Sequence, residues 1–525
     1  LNTDLTELPG LDDLSNPTGV LANLNHKASR IWNTRSSLIS VNGASAGIIA
    51  AILSVSAFGK KIVVSRNAHK SVITGLLLSG LEPIWYTPEW NSSWGVFDHV
   101  APSTLASLLE RQTTKKATKD YFQDKIGENQ EEQEEQEHQE REEDDLSIAG
   151  VVVVSPTYGG AYSDIKEISA MCKRAGIALI VDEAHGAHRF SEVNSPRSAA
   201  CRDAGAPDRH SPSAIEAGAD IVIHSLHKTL GAMTQTGLVH LPHGSKVTEA
   251  NLSHHLNMLQ STSPSYTLML SIEDALDELR GSGNENGDLL AGDLVGDALR
   301  AGDLIGCDLI DCDLSDGAFT VNAFTDGASE EIGQVEGAPL QSIDRLARNL
   351  RLHLTCSKFE IYDTTRGTDS WHILLRHERK GSGELFDYLL SRGIYPECEL
   401  GAGVLLMLGV GTSESDVALL IEALNDFERI NRFDTAASES SRSEFAQPPS
   451  IEQVMVPRTA SMALSEQVAI ADAENVVASE CIAPCPPGIP LCVPGQRLTK
   501  EVLNQITKHR TKDHVRIVLN PQPCK

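Results

Sequence analysis

Five short β-branched runs recur between residues 60 and 241: "KKIVVS", "AGVVVVS", "ALIVDEAH", "ADIVIHS" and "TGLVHL". They are nearly all apolar, as strands are when both faces of a sheet are covered. Helical stretches lie between several of them, and that alternation predicts a mostly parallel sheet with helices on its faces. "SAGIIAAILSVSAFG" and "SDIKEISAMCKRAG" supply two such helices, the second with an Asp near its start and a Gly at its stop. Residues 340–430 repeat the alternation on a smaller scale, through "SIDRLARNLRLHL", "WHILLRH", "ELFDYLLSRG", "GVLLMLGVG" and "SESDVALLIEALNDF". The expected fold class is therefore α/β, a large domain with a mostly parallel sheet followed by a smaller α/β domain.

Two segments fall outside this pattern. "ENQEEQEEQEHQEREEDD", residues 128–145, cannot bury apolar area and is expected to project as a solvated loop, within an acidic insert over 113–146. Leu289, Leu294, Leu299, Leu304, Leu309 and Leu314 recur every five residues. That spacing resembles pentapeptide repeats and is read as an insert over 281–335 with no activity of its own. The layout is then an amino-terminal arm (1–25), the large domain (26–280), this insert, a small domain (336–433), a Ser/Ala-rich linker (434–475) and a carboxyl-terminal subdomain (476–525) with one helix, "TKEVLNQITKH".

Bulk properties narrow the function. No apolar run approaches the roughly 18 residues a membrane span needs, and the amino end has neither a basic nor an apolar targeting region. Ten cysteines are spread without disulfide-framework spacing, so free thiols and a cytosolic setting are expected. Cys481, Cys485 and Cys492 cluster but lack a fourth ligand at usual spacing, and no metal site is assigned. A net charge of −28 argues against a nucleic-acid partner, which needs basic stripes.

The chemistry concentrates around Lys228, which stands in "HSLHK" at the end of a strand. A lysine there either reaches solvent or is held half-desolvated as a nucleophile. Asp182 ends the neighbouring strand "ALIVD", facing the crevice where open α/β sheets bind ligands. "NGASAGIIAAIL" is a Gly/Ser turn into a helix, in which Gly43 and Gly47 permit close backbone approach and Ser45 offers a hydroxyl to a phosphate. Ser225 and His227 add two further phosphate donors, and His69, again just past a strand, can lie flat against a ring. Amine, carboxylate, phosphate cradle and flat ring are what pyridoxal phosphate requires of a protein. "VDEAH" also matches a helicase box, but no phosphate-binding G-x-x-x-x-G-K-[ST] loop accompanies it. His185 and His188 are spaced like a metal pair without a third ligand.

These residues stand in ordered blocks: "DLTELPGLDDLSNPTG", "RNAHKSVITGLLLSGLEP", "VVVVSPTYGGAYSDI", "IVDEAHGAHRF", "HSLHKTLGAMTQTGLVHL", "LQSTSPSYTLMLSIEDA" and "PPGIPLCVPGQ". Together they resemble the pyridoxal-phosphate-dependent ornithine/lysine/arginine decarboxylases, built on the aspartate-aminotransferase-like fold type I. The resemblance implies Lys228 as the lysine that bonds the cofactor aldehyde, Asp182 at the pyridinium nitrogen and His69 stacked on the ring. It places Ser45, Ser225 and His227 at the phosphate, with Ala184 and His185 lining the cofactor. It brings Thr262 and Ser263 to the site from a partner subunit, so a homodimer or larger assembly is expected, and sets Glu397 on the side of a basic amino-acid substrate. Carbon dioxide and an amine feeding polyamine synthesis would be the products. Two departures are visible: the family's upstream Pro-Gly-His-Lys type segment is absent, so the arm is expected to be truncated, and Ala44 and Ala46 replace hydroxylic residues of the phosphate turn. An aminotransferase or aldolase on the same fold, or a catalytically silent regulatory paralogue, remain alternatives.

Overall fold

The computed structural model describes residues 11–109, 147–189, 212–280, 339–355, 357–431, 444–509 and 512–521. The acidic insert and the pentapeptide-like insert lie outside the described residues. The helices are α1 (Val20–Ile31), α2 (Gly43–Val55), α3 (Lys70–Ser79), α4 (Ile165–Ala175), the single turn α5 (Leu226–Thr229), α6 (Glu249–Asn257), α7 (Tyr266–Arg280), α8 (Pro339–Thr355), α9 (Ser382–Ser391), α10 (Glu414–Ile430), α11 (Pro457–Met462) and α12 (Lys500–Lys508).

The five β-branched runs form the contiguous centre of a seven-stranded sheet. They are β2 (Lys61–Ser65), β6 (Ile148–Val154), β7 (Ala178–Asp182), β8 (Ile221–Ser225) and β9 (Gly237–Leu241). Two edge strands complete it, β1 (Ser36–Ser40) and β3 (Glu82–Tyr86), in the order β1-β9-β8-β7-β6-β2-β3. Only β9 runs against the others, antiparallel to both β1 and β8. The period of two along each strand divides the core into two layers. Ile62, Val64, Ile180, Ile223 and Val239 face α2, α3 and α6, while Val63, Val151, Leu179, Val181 and Val222 face α1, α4 and α7.

Neither edge strand advertises itself in sequence. β1 reads "SSLIS", and its serines are buried because they find polar partners: Ser37 Oγ meets His240 Nδ1 at 2.8 Å and Ser40 Oγ donates to Gly43 O at 2.8 Å. β3 carries Pro83, which an edge strand tolerates because one side of its ladder is unpaired.

A two-residue hairpin, β4 (Trp90–Asn91) with β5 (Val96–Phe97), leads away from the sheet. The smaller domain is a four-stranded antiparallel sheet, β10 (Phe359–Ile361), β11 (His372–His377), β13 (Gly403–Met407) and β12 (Cys398–Leu400), covered by α8, α9 and α10. Its core is continuous with the α1/α4/α7 layer.

Two boundaries differ from the sequence-based layout. The arm/domain boundary at 25/26 falls inside α1, whose first turn is capped by Asp12: its carboxylate accepts from Gly19 N at 2.7 Å and Leu21 N at 3.0 Å. The stretch assigned to a linker is structured from residue 444 on. It includes α11 and β14 (Ser465–Ala469), which pairs in full register with β15 (His514–Val518). Its Ser and Ala content resembles a linker, but its backbone hydrogen bonds are made with residues far along the chain, a pairing that local composition does not report. This subdomain docks on the β2/β3 side of the large sheet, where Trp85 Nε1 donates to Gln453 Oε1 at 3.0 Å and Arg66 Nη1 to Pro490 O at 2.7 Å. Among the described residues no helix is long and apolar enough to cross a membrane.

Candidate active site

The carboxyl ends of the parallel strands converge on one crevice. β7 ends at Asp182, β8 runs through Ser225 into α5 with His227 and Lys228, β2 leads to His69 at the start of α3, and β1 leads to Gly43 at the start of α2. This is the edge at which open α/β sheets bind ligands.

Lys228 is half-buried, and its Nζ lies 2.9 Å from His185 Nε2. Desolvation lowers its pKa below that of an ordinary lysine, while the carboxylates of Asp182 and Glu397 pull the other way. Asp182 is 5 % exposed and its Oδ1 accepts from Ala184 N at 3.2 Å, which orients the carboxylate. His69 caps α3: its Nδ1 accepts from Ser71 N at 3.2 Å and pairs with Ser71 Oγ at 2.8 Å. That bond assigns the neutral ring's proton to Nε2. Burial lowers its pKa, against the pull of Asp182.

Gly43 adopts φ +72°, and nothing lies within 4 Å of where a Cβ would stand. Its N–H donates to Gln235 O at 2.9 Å. Asn42 offers α2 no side-chain cap, and Ser45 on the first turn is exposed, so the amino end of α2 presents N–H groups and a hydroxyl outward. Ser225 is buried, its N–H donating to Ala184 O at 3.2 Å. His227 Nδ1 donates to Thr236 O at 3.0 Å, and burial lowers its pKa. Gly47 does not serve the turn as expected. Its absent side chain faces the sheet, where a Cβ would stand 2.6 Å from Val239 Cγ2, so this glycine lets α2 lie on β8 and β9.

The crevice thus holds an amine of lowered basicity, a buried carboxylate, an imidazole and an uncapped helix start. That set fits an aldehyde-bearing aromatic phosphate: Lys228 for the aldehyde, Asp182 for a ring nitrogen, the α2 turn for the phosphate.

Glu397 is exposed and joined to the crevice by a hydrogen bond from Tyr158 OH to its Oε1. Thr262 and Ser263 are exposed on the segment between α6 and α7 and make none of the contacts around Lys228 given above. The start of that segment touches the phosphate turn, since Asn42 Nδ2 donates to Leu259 O at 2.7 Å and Val41 N to Gln260 Oε1 at 2.9 Å.

Three residues of the site escaped the sequence reading. Tyr158 sets its ring edge-on to His185 with centroids 5.1 Å apart. His372, at the start of β11, brings Nε2 to 3.2 Å from His185 Nδ1. Asp369, fully buried, accepts from Tyr162 OH at 2.8 Å and Trp371 N at 2.9 Å, and lies 3.1 Å from His188 Nε2. Burial alone would raise the Asp369 pKa, but His188 and His372 hold it well below the usual carboxylate range. His185 and His188 are engaged by different partners, His185 by Lys228 and His372 and His188 by Asp369. The signal for Asp369 and His372 in sequence is only "TDSWH", a polar cluster opening an apolar strand.

A family model described as Orn/Lys/Arg decarboxylase, major domain, matches residues 1–318, and one for the Orn/Lys/Arg decarboxylase C-terminal domain matches residues 439–511. The chain belongs to the Orn/Lys/Arg decarboxylase family. It is accordingly a pyridoxal-phosphate-dependent amino-acid carboxy-lyase of fold type I, as the resemblance implied. The uncharacterized protein YaaO of Bacillus subtilis (strain 168) is 28 % identical over 97 % of this chain and 85 % of its own length. An arginine decarboxylase of the same organism is 25 % identical over 97 % of this chain and 85 % of its own length. Among solved structures, the constitutive lysine decarboxylase of E. coli shares the fold with a TM-score of 0.65 at 15 % identity, covering 98 % of this chain and 75 % of that one.

Proposed function

We propose that this Orn/Lys/Arg decarboxylase acts on arginine, releasing carbon dioxide and an amine that polyamine-forming steps consume. The observation that carries the chemistry is the desolvated Lys228 amine, 2.9 Å from His185 and within the field of Asp182. The choice of arginine is supported by four arginine decarboxylases that match 94–97 % of the chain; the E. coli biodegradative arginine decarboxylase and the Pseudomonas aeruginosa lysine decarboxylase LdcA match 53 % and 54 % of it.

In this reading Lys228 bonds the cofactor aldehyde, Asp182 keeps the ring nitrogen protonated, and His69 lies against the ring with Ala184 and His185 lining it. Gly43, Ser45, Ser225 and His227 hold the phosphate. Bound there, pyridoxal phosphate supplies the electron sink for the bond broken as carbon dioxide leaves. Glu397, oriented by Tyr158, receives the cationic end of the substrate. Thr262 and Ser263 act across the interface of a homodimer, which would explain their exposure in the single chain. The cysteines Cys172, Cys398, Cys481, Cys485 and Cys492 are unpaired, in keeping with a cytosolic enzyme.

The test is a visible absorption scan of the full chain with pyridoxal phosphate, before and after Lys228→Ala, coupled to carbon dioxide release from arginine, lysine and ornithine. A band that vanishes in the variant together with release from arginine is expected. Release from lysine or ornithine instead would overturn the substrate; a Lys228-dependent band without release would point to a transaminase or a silent paralogue; no band would sink the cofactor assignment for Lys228.

A further inference from the structure

Lys228 must lose a proton before it can act as a nucleophile, and the structure holds a path for that proton which leads out of the large domain. Lys228 Nζ faces His185 Nε2 at 2.9 Å, and His185 Nδ1 faces His372 Nε2 at 3.2 Å. On the far side of its ring, His372 Nδ1 lies 3.4 Å from Asp369 Oδ1. The two make no hydrogen bond at that distance, but Asp369 is held ionised and its charge favours a hydrogen on the His372 nitrogen nearest it. With His372 neutral, its Nε2 is bare, His185 Nδ1 donates to it, and His185 Nε2 is bare toward Lys228. Every donor in the row then points the same way.

We propose that His185, His372 and Asp369 form a proton relay that takes the proton from Lys228 and holds it on His372. The Lys228 Nζ–H bond breaks as a His185 Nε2–H bond forms. The His185 Nδ1–H bond breaks as a His372 Nε2–H bond forms. Lys228 ends neutral, His185 neutral with its proton on the other nitrogen, and His372 cationic against the Asp369 carboxylate. No proton enters or leaves. Burial disfavours a charged His185, so it passes the proton on instead of keeping it. The receiving end is built to be rigid. Arg351 Nη2 donates to Asp369 O at 3.1 Å and to His372 O at 2.7 Å, and Asp369 N donates to Gly160 O at 2.8 Å. Gly160, at φ +94°, leaves room for this approach, since a Cβ there would stand 2.9 Å from that of His372. Because His185 belongs to the large domain and His372 to the smaller one, the path exists only when the two are docked. His372 and Asp369 are positioning and proton-holding residues, acting on Lys228 through His185.

The charged and titratable groups that act on Lys228 are Asp182, Glu397 and Cys485; those on His185 are Lys228, His372, Asp369 and His227. Of these, only His372 and Asp369 are changed in the test. It rests on the reading of Lys228 as the reactive amine, and its readout needs no cofactor: the pH dependence of Lys228 acetylation by acetic anhydride in the cofactor-stripped full chain, quantified by mass spectrometry. Without a place to leave the proton, Lys228 keeps it to higher pH. His372→Leu and Asp369→Asn are each expected to raise the acetylation midpoint by about one pH unit, and the double variant no further than either. A merely structural role predicts the opposite sign, because a more apolar neighbour or a lost anion lowers a lysine pKa. A midpoint that falls, stays put, or shifts additively overturns the relay; should Asp369→Asn fail to fold, His372→Leu decides by sign alone. If the midpoint rises but pyridoxal phosphate gives no Lys228-dependent band, the relay stands and the cofactor role of Lys228 falls.

Discussion

At the scale of single residues, the site is completed from a distant part of the chain. Gly488, in the segment "CPPGIPLC", accepts at its carbonyl from Lys70 N at 2.9 Å and adopts φ +78°. A Cβ there would stand 2.6 Å from His69 Cδ2 and 2.7 Å from His69 Nε2. Only glycine combines that backbone conformation with that approach. Gly488→Ala should therefore tilt the His69 ring away from the position proposed for it against the cofactor, as well as strain the turn. We expect cofactor affinity to fall at least tenfold by visible titration, with thermal stability lowered by about 1–2 kcal/mol. Unchanged affinity would mean that His69 does not contact the ring. His69 could be singled out from its own surroundings, a histidine just past a strand. Gly488 could not, because its requirement comes from a ring it meets only after folding.

Among elements, α2 does two jobs that constrain its sequence. Its buried residues include Ala46, Gly47, Ala50 and Ala51, small enough for the helix to lie close on the sheet while its outer side meets α3 and α6. Gly47→Ala would put a methyl group 2.6 Å from Val239 Cγ2 and 3.2 Å from Ile223 Cγ2. The higher helix propensity of alanine, worth about 1 kcal/mol, is outweighed where overpacking costs about 1–3 kcal/mol. A lower thermal midpoint is expected, and because the first turn of α2 is the proposed phosphate site, weaker cofactor binding with it. A midpoint that rises would show that propensity wins and that the sheet yields. The same element explains why the centre of the fold was legible in sequence and its periphery was not. β2, β6, β7, β8 and β9 are covered on both faces, so burial forces nearly continuous apolar runs that any window detects. β1, with serines satisfied across the sheet, and β3, with an edge proline, obey constraints set by partners elsewhere in the chain. Asp182, His185 and Lys228 could be read because each ends or follows such a run. Asp369 and His372 could not, being brought in by the docking of one domain on another, and Tyr158 stands four residues past β6 with nothing in its surroundings to single it out.

For the molecule as a whole, the large domain stakes its stability on uncharged histidines. Glu183 pairs with Arg189 at 2.6 Å and with His224 Nε2 at 3.1 Å, His224 Nδ1 meets His240 Nε2 at 3.0 Å, and His240 reaches Ser37. Trp32 packs at a tilt against both rings, at centroid distances of 5.7 Å and 5.1 Å. Burial lowers the His224 pKa to about 3, and holds His185 and His240 well below the usual imidazole value. Unfolding exposes all three to titrate near 6.5, so the unfolded chain binds more protons below that pH and stability is lost as pH falls. Glu183 acts in the opposite sense: burial raises its pKa to about 7, so between there and 4.5 the folded state binds the extra proton and gains stability on acidification. At pH 5 His224 costs about 2 kcal/mol, Glu183 returns roughly that amount, and the losses at His185 and His240 remain as the net destabilisation relative to neutral pH. The half-buried His69 and His227, also lowered, add to the loss. The thermal midpoint of the full chain should therefore drop steadily from pH 7.5 to pH 5, about the pH window set by these groups. His240→Gln should flatten that slope by about one histidine's share, because an amide can still meet Ser37 or His224 but takes up no proton. A midpoint that holds or rises toward pH 5 in the unsubstituted chain would mean that these imidazoles are already charged when folded, and that the row from Glu183 to Ser37 is an ion network, not a neutral one.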